Sequence, residues 1–527
     1  MRISTQQYYD TSSSKYQDNY SSVVKAQDQA SSGVRVQTAA DDPVAAAQLL
    51  MLQQQKDMLG QYNTNITTLN NSLTNEESVL QSINTALQTA QGLAQQAGNI
   101  GKSDDDRKAL AAQVGALEDQ VLGLLNSKDS SGNYMFSGAK TDTPPYTRNN
   151  DGTYSYQGDE TPLSLQISNN LSISMGDTGK ALLESSSNTG RTQATLLPPA
   201  VNDGTVGISA GLITSSTTFT KSFSDGQPYK LTFASSTQYS VTDKDGNDVT
   251  SEITGNGTFD STKEGSSSIS LRGVTFDIRL NLGKDVAPGA ASDALVAGKE
   301  FSLATKPDSF SVSRTASNAS TAQLTGGSVT DQAAYTNTFP NSGAVVRFTS
   351  GTDYQVFAQP YTADSKAIAS GTMAAGATSI TTAGVTFGVS GTPGAGDQFS
   401  VGATSNKNMN ALDTLSQLRK ALETPADGNP VALNNLKDVV ATSIGNLGNA
   451  SAQIDQVRGS IGARQNAIDI QDTENTSLGL ANTSTMSSLA NVDMGQAAID
   501  LTLQQTMLQA SQLAFVKISQ LSLFSKM

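Results

Sequence analysis

No histidine, cysteine or tryptophan occurs anywhere in the 527 residues. Without histidine, the side chain best suited to proton transfer near neutral pH is missing, and Ser-His-Asp, Cys-His and His-ligated zinc sites are excluded. Without cysteine there is no disulfide, thiolate nucleophile or iron–sulfur ligand. Only carboxylates, hydroxyls and amines remain for chemistry, so no enzyme, cofactor or metal is expected. Positive charge is also short: 33 basic against 47 acidic residues give a net charge of −14. That sign repels phosphate backbones, and no nucleic-acid partner is expected. The opening MRISTQQYYDTSSSKYQ has no apolar core of a cleaved secretory signal, and no run is long enough to span a bilayer. The expectation is a chain without membrane insertion that stays in the cell or leaves by another export route.

Proline is scarce at both ends. Residues 1–143 hold only Pro43, residues 406–527 only Pro425 and Pro430, and the other eleven lie between 144 and 393. The ends can therefore be helical where the middle cannot. Leu52, Leu59, Ile66, Leu73, Leu80 and Leu87 recur at sevens, continued by Ala45 and Ala94. The interleaved series Gln48, Gln55, Tyr62, Leu69, Glu76, Ile83, Ala90, Ala97 is mixed. The pattern predicts a helix over 44–98, roughly 80 Å long, with one seam and with Asp42-Pro43 as its start signal. Asp104–Asp106 opens a second helix bearing Leu110, Val114, Leu117, Val121 and Leu124. Near the other end Leu433, Val440, Leu447, Ile454, Ile461 and Ile468 repeat the spacing. Leu412, Leu415, Leu418 and Leu422 mark a shorter helix before the turn PADGNP at 425–430.

These stripes predict an α+β, multidomain chain. An elongated antiparallel helical bundle or coiled coil is built from both chain ends, with a β-rich region inserted at its tip. The expected divisions are 1–40 (N-terminal assembly helix), 41–141 and 406–488 (the two halves of the bundle), 142–405 (β-rich region) and 489–527 (C-terminal assembly helix). Within the β-rich region a duplication is visible. GLITSSTTFTKSF (211–223) aligns with GSVTDQAAYTNTF (327–339), and LTFASSTQYSV (231–241) with VRFTSGTDYQV (346–356). GVTF recurs at 273–276 and 384–387. Two similar modules of short antiparallel strands are expected over about 205–310 and 320–405, led by a hairpin around 146–158.

The extreme ends differ from the bundle. Tyr9, Tyr16, Tyr20 and Val23 form a thin stripe that is marginal alone. Leu503, Met507, Leu508, Leu513, Phe515, Ile518, Leu521 and Phe524 surround most of the last helix. Such a helix needs burial on several sides, and the N-terminal stripe covers one. These residues are therefore the expected assembly interface, ordered when other copies cover them.

Sharper motifs give way to plainer readings. Asp41-Asp42 reads as a cap rather than half a metal site, and so does Asp104–Asp106. DKDGND (243–248) begins like a calcium loop, but Thr254 stands where the bidentate Glu belongs, and a hairpin turn explains Asp-Gly. GTPGAGD (391–397) lacks the Lys-Ser/Thr of a phosphate loop. Ser12–Lys15 and Ser22–Lys25 fit S-x-x-K without companion motifs. In SGNYMFSGAKTDTPPY (131–146), Tyr134 and Phe136 read as packing at a joint between helices and strands rather than as a carbohydrate site, with Gly132 turning the chain and Pro144-Pro145 fixing an extended exit.

Three stretches together resemble the flagellin superfamily of flagellar axial proteins: SSGVRVQTAADDPVAAAQLL (31–50), RGSIGARQNA (458–467) and MLQAS…ISQLSLF (507–524). DDPVAA in place of flagellin's DDAAGLA, the opening RISTQQYY and the exit SGNYMFSGAKTDTPPY are similar to the hook–filament junction branch. The resemblance covers about 140 residues at the front and 120 at the back. It implies a structural protein exported unfolded through the flagellar apparatus with an export chaperone, acting outside the cell. It also implies a ring-like layer of copies between hook-associated protein 1 on the hook side and flagellin on the filament side. A divergent flagellin, or a secreted adhesin whose β modules bind glycans, are the alternatives.

Overall fold

The computed structural model describes residues 5–99, 101–261, 266–283, 286, 289–340, 342–362, 364–374 and 376–524. The chain forms two compact units. One comprises Met1–Thr74, Ser164–Met175 and Ile461–Met527, the other Asn75–Leu163 and Gly176–Ser460. The long helices are α1 (Thr5–Ser32), α2 (Pro43–Ala97), α3 (Asp104–Leu125), α4 (Ala411–Glu423), α5 (Pro430–Ala490) and α6 (Met494–Phe524). Both α2 and α5 contribute to each unit.

The ends of α2 and α3 lie where the sequence signals them. Asp42 Oδ1 accepts from the Ala45 N–H at 3.0 Å ahead of Pro43. Ser103 and Asp106 form a reciprocal capping box. In α5, Pro430 takes the first helical position and Asn429 Oδ1 accepts from the Val431 and Ala432 N–H groups, each at 3.1 Å. Ile66, Leu73, Leu80 and Leu87 are buried, as are Val440, Leu447, Ile454 and Ile461, whereas Leu52, Leu59 and Leu433 are half-buried. The interleaved series corrects the single-seam expectation. From Leu69 onward it too is buried, through Glu76, Ile83, Ala90 and Ala97. In α5 the matching second series is Leu436, Ser443, Ala450 and Val457. Small and polar residues hid these positions, although a two-sided seam can bury them where partner backbones come close.

Within the second unit, side chains tie α2 to α5 in descending order, which makes the pair antiparallel. Gln91 Nε2 donates to the Ile444 carbonyl at 3.0 Å and Asn84 Nδ2 to Asp455 Oδ1 at 3.0 Å. Arg458 pairs with Glu77 at 2.8 Å. The pair α3 and α4 packs alongside, with Leu412, Leu415, Leu418 and Leu422 all buried. Buried Glu118 is satisfied three ways: by Arg419 Nε at 2.8 Å, the Tyr154 hydroxyl at 2.7 Å and Arg148 at 3.3 Å.

The joint follows α3. Gly132 adopts a left-handed φ of 86°, Phe136 is fully buried, and half-buried Tyr134 lies under the Lys128 ammonium at 4.5 Å. The chain then enters the hairpin β1 (Tyr146–Arg148) and β2 (Tyr154–Tyr156). A second hairpin, β3 (Ser164–Ser168) and β4 (Leu171–Ser174), belongs to the first unit. The β-rich expectation for 142–405 contained it but did not separate it.

The duplication appears in strand order. The first module joins β5 (Thr192–Leu196), β12 (Glu300–Thr305), β8 (Tyr229–Phe233) and β9 (Tyr239–Thr242) in the order β5-β12-β8-β9. Its second sheet pairs β11 (Val274–Leu280) with β10 (Ser267–Leu271), β6 (Val206–Ile208) and β7 (Leu212–Ile213). The second module repeats this as β13 (Ser309–Arg314), β20 (Gln398–Thr404), β15 (Ala344–Phe348) and β16 (Asp353–Ala358), with β17 (Ala369–Thr372) added at the edge. Its other sheet is β14 (Gln323–Val329), β19 (Val385–Ser390) and β18 (Ser379–Thr382).

Equivalent residues do equivalent work. Phe233 faces Tyr239, and Phe348 faces Tyr354. Ser215 and Asp331 cap matching helical turns, and the residues before them, Thr214 and Thr330, donate to the Gly273 and Gly384 carbonyls at 2.9 Å each. Both glycines have left-handed φ. A Cβ on Gly273 would come within 2.8 Å of the Ser215 carbonyl, so the tight hairpin and the cap above it need glycine there. The module edges near 205 and 320 fall later than the sheets begin. The larger sheet of each module takes its first strand from upstream, β5 at 192 and β13 at 309, and neither strand lies within the aligned repeats.

Candidate assembly surface

Every element of this surface lies in the first unit. The last turn of α1 ends at Gly33, whose left-handed φ of 70° breaks the helix. Residues 33–42 then cross to α2, and residues 491–493 cross from α5 to α6. The two crossings pair: Val34 bridges Asn491, the Arg35 N–H donates to the Ala490 carbonyl at 2.6 Å, and the Val492 N–H to the Gly33 carbonyl at 2.9 Å. Asp493 caps α6 through the Gly495 N–H at 2.8 Å. The result lays α1 along α6.

Phe515 is the centre of that packing. Tyr9 and Tyr16 lie on its ring at 5.3 and 6.2 Å between centroids. Val23 is buried, while Tyr16, Leu508 and Phe515 are half-buried. The rest of the expected interface faces solvent: Tyr20, Leu503, Met507 and Leu513 are exposed, Leu503 at 54% and Leu513 at 67%. The side chains of Ile518, Leu521 and Phe524 lie outside the described residues. Exposed Ile499 and Val516 extend the same apolar surface. Among the described residues, 17 of the 21 large apolar side chains found exposed belong to this unit.

Sequence reasoning missed the β3–β4 hairpin, which braces α2 against α5. Asn65 Nδ2 donates to the Gln166 carbonyl at 2.7 Å, Asn475 Nδ2 to the Ile167 carbonyl at 3.1 Å, and the Tyr62 hydroxyl to Asn169 Oδ1 at 2.9 Å. The alternation of SLQIS and LSIS around Asn169-Asn170 was the available signal. It also missed a second exposed stripe on α2, Val44, Met51 and Met58, one position ahead of the inward series.

Carboxylates at the crossing serve backbone and cations. Asp41 Oδ2 accepts from the Gln37 and Thr38 N–H groups at 3.1 and 2.8 Å, and Oδ1 meets Lys25 at 2.5 Å. The Lys25 ammonium and the Thr38 N–H hold Asp41 well below the usual carboxylate range. The Ala45 N–H and then Arg35 depress Asp42. Asp243 of DKDGND accepts from the Asp245 and Asn247 N–H groups at 3.0 and 2.9 Å, closing a turn between β9 and Asp248. GTPGAGD spans β19 to β20, with Asp397 buried and accepting from the Gly394 N–H at 2.8 Å. Among the described residues no cluster of three or more acidic side chains could hold a metal, and no helix is long and apolar enough to cross a membrane.

Comparison with known proteins bears on these ends. Residues 3–141 match the family described as the bacterial flagellin N-terminal helical region. Over 185 residues the chain is 37% identical to flagellar hook-associated protein 3 of Salmonella typhimurium, covering 35% of this chain and 57% of that protein. It is 35% identical to flagellar hook-associated protein 3 of Escherichia coli over the same length and shares. The chain thus spans a little over half the length of the curated relatives it matches. Among solved structures it is similar to flagellar hook associated protein-3 from Legionella pneumophila, at 21% identity and a TM-score of 0.46, covering 83% of this chain and 98% of that one. Xanthomonas campestris FlgL is similar at 19% identity and a TM-score of 0.41, covering 82% and 98%. The N-terminal part of the chain is thus similar to the helical N-terminal region of bacterial flagellin, and the chain is similar over 185 residues to flagellar hook-associated protein 3.

Proposed function

We propose that the protein is a non-enzymatic adaptor at the hook–filament junction of the bacterial flagellum. Copies assemble into a ring-like layer through α1 and α6. Hook-associated protein 1 lies on one side and flagellin on the other. The chain reaches this extracellular position unfolded, through the flagellar export apparatus and with an export chaperone. The observation that carries the reading is the apolar face of α6: Ile499, Leu503, Met507, Leu513 and Val516 are exposed on a helix whose other side rests on α1. Exposed apolar surface of this extent marks an interaction site. Burying it against neighbours offsets the entropy of ordering the ends.

The test is deletion of the gene, with electron microscopy of the cells and an assay of the medium for flagellin. Bare hooks with shed flagellin, repaired by adding purified protein, are the expected result; normal filaments would overturn the adaptor reading. Elongation of filament fragments by the purified protein would instead identify a flagellin.

A further inference from the structure

Arg35 gathers three helix ends. Its Nη2 donates to the Leu489 carbonyl at 2.9 Å, one residue before the end of α5. Its Nη1 donates at 3.2 Å to Asp42 Oδ2, on the carboxylate that caps α2 through Oδ1. Its carbonyl accepts from Gln29 Nε2 at 2.8 Å, in the last turn of α1. Its own N–H closes the bridge between the two crossings. A guanidinium suits this position: the end of α5 presents unsatisfied carbonyls and a negative dipole, and the Asp42 carboxylate offers a second acceptor to the planar fork. Lys25 and Asp41 add a second tie from α1 to the same crossing.

We propose that Arg35 is a positioning residue for the assembly surface: it fixes the direction in which the paired α1 and α6 leave α2 and α5. The clamp orients more than it stabilises. The side chains of Arg35 and Asp42 are 45% and 32% exposed, and ion pairs so wetted contribute little to folding. Direction is costly to lose in a closed layer. Each copy must present its apolar helix face to the next at one angle, and a small error per copy accumulates around the ring. The direction-setting role is independent of what the layer joins, whereas its consequence for assembly rests on the adaptor reading above.

The chain has no cysteine, so a pair can be introduced cleanly for spin labels, Asn19→Cys on α1 with Asp57→Cys on α2, and the inter-label distance distribution measured on the full chain. The labelled parent is expected to give one narrow distribution, Arg35→Ala a broad one, and Arg35→Lys an intermediate one because a single ammonium cannot fork between carbonyl and carboxylate. The main thermal transition should stay within a few degrees in all three, a readout that separates orientation from general destabilisation. A narrow distribution in Arg35→Ala, or a broad one in the parent, overturns the proposal. In cells lacking the gene, Arg35→Ala is expected to be secreted normally and to attach filaments at least tenfold less often than the parent. A broadened distribution with normal attachment would overturn the link to assembly. Failure of the parent itself to attach filaments would count against the adaptor reading and leave the distance result standing.

Discussion

Asp413 shows how one carboxyl can make stability depend on pH. It sits in the first turn of α4, with Oδ1 accepting from the Tyr154 N–H at 2.8 Å. Burial pushes its pKa up to about 6, with the charges of Asp151 and Glu118 adding to the effect and Lys420 opposing it. The folded state therefore holds this proton between about pH 4 and 6 where the unfolded chain has released it, so the carboxyl's contribution falls as pH rises through that window. Asp413→Asn keeps the acceptor and discards the charge. It should gain about 1 kcal/mol at pH 7, after allowance for solvent screening, and nothing at pH 4; urea unfolding at both values checks this. Asp41 and Asp42 work in the opposite sense. Their depressed values add stability that is complete above the ordinary carboxylate range and lost as pH falls below it, so the protection of amides 33–42 from hydrogen exchange, relative to the intrinsic rate at each pH, should fall below about pH 4. Arg279 is a stronger case. It is buried, donates to Asp438 Oδ1 at 2.6 Å and to the Asn434 carbonyl at 3.1 Å, and so fastens β11 to α5. Arg279→Ala removes the cation from the half-buried Asp438 carboxylate and leaves it the Ala210 N–H, and should cost about 2 kcal/mol, whereas Arg279→Met with Asp438→Leu should cost much less. Thermal unfolding of both variants distinguishes a needed pair from a tolerated one.

At the scale of elements, what was legible follows from what repeats. Heptads, capping residues and scarce proline placed α2 within a residue at each end, opened α3 at Asp104 and marked the stripes of α4 and α5 without their ends, because long periodic signals average out local exceptions. The second seam was illegible because Glu76 and Ser443 are polar and Ala90 and Ala450 small. Their burial depends on the partner helix, which no local pattern encodes. Strands β5 and β13 were lost for a similar reason: each pairs directly with a strand more than 80 residues further along the chain, Leu196 with Phe301 and Arg314 with Phe399 at the nearest. In the candidate surface the residue types were legible, yet the contacts were not. Phe515, one of many apolar positions on α6, proves to be one that the tyrosines of α1 cover, while Leu513 two residues earlier stays in solvent. That division argues for a separable element. Removing residues 505–527 deletes the Phe515 anchor and most of the exposed face but no residue of the second unit. The truncated chain should keep its main thermal transition within a few degrees and be unable to restore filaments in cells lacking the gene. Restored filaments would show that α6 is not the assembling element.

At the scale of the whole molecule, the β modules are an insertion in the strict sense: the chain leaves and returns at one place. Ser187 bridges Asn408, the Asn188 N–H donates to the Lys407 carbonyl at 2.9 Å, and the Met409 N–H to the Ser186 carbonyl at 3.0 Å. Each module also closes its own core. One cluster runs from Val206 to Leu303 and the other from Ala322 to Val401, with no member in common. Such a body can be removed without breaking the chain's path elsewhere, as loop-tip insertions generally can. Replacing residues 190–405 with a short Gly-Ser linker should therefore leave a folded helical protein. A cost of a few kcal/mol is expected, because Asp438 and Thr442 of α5 lose their covering. If α1 and α6 carry assembly, that protein should still attach filaments, and circular dichroism with electron microscopy reads both outcomes. Loss of attachment with the helices intact would move part of the joining role into the modules. The repeated sheets would then be a duplicated contact, and their shared turns at Ser215 and Asp331 the first residues to change.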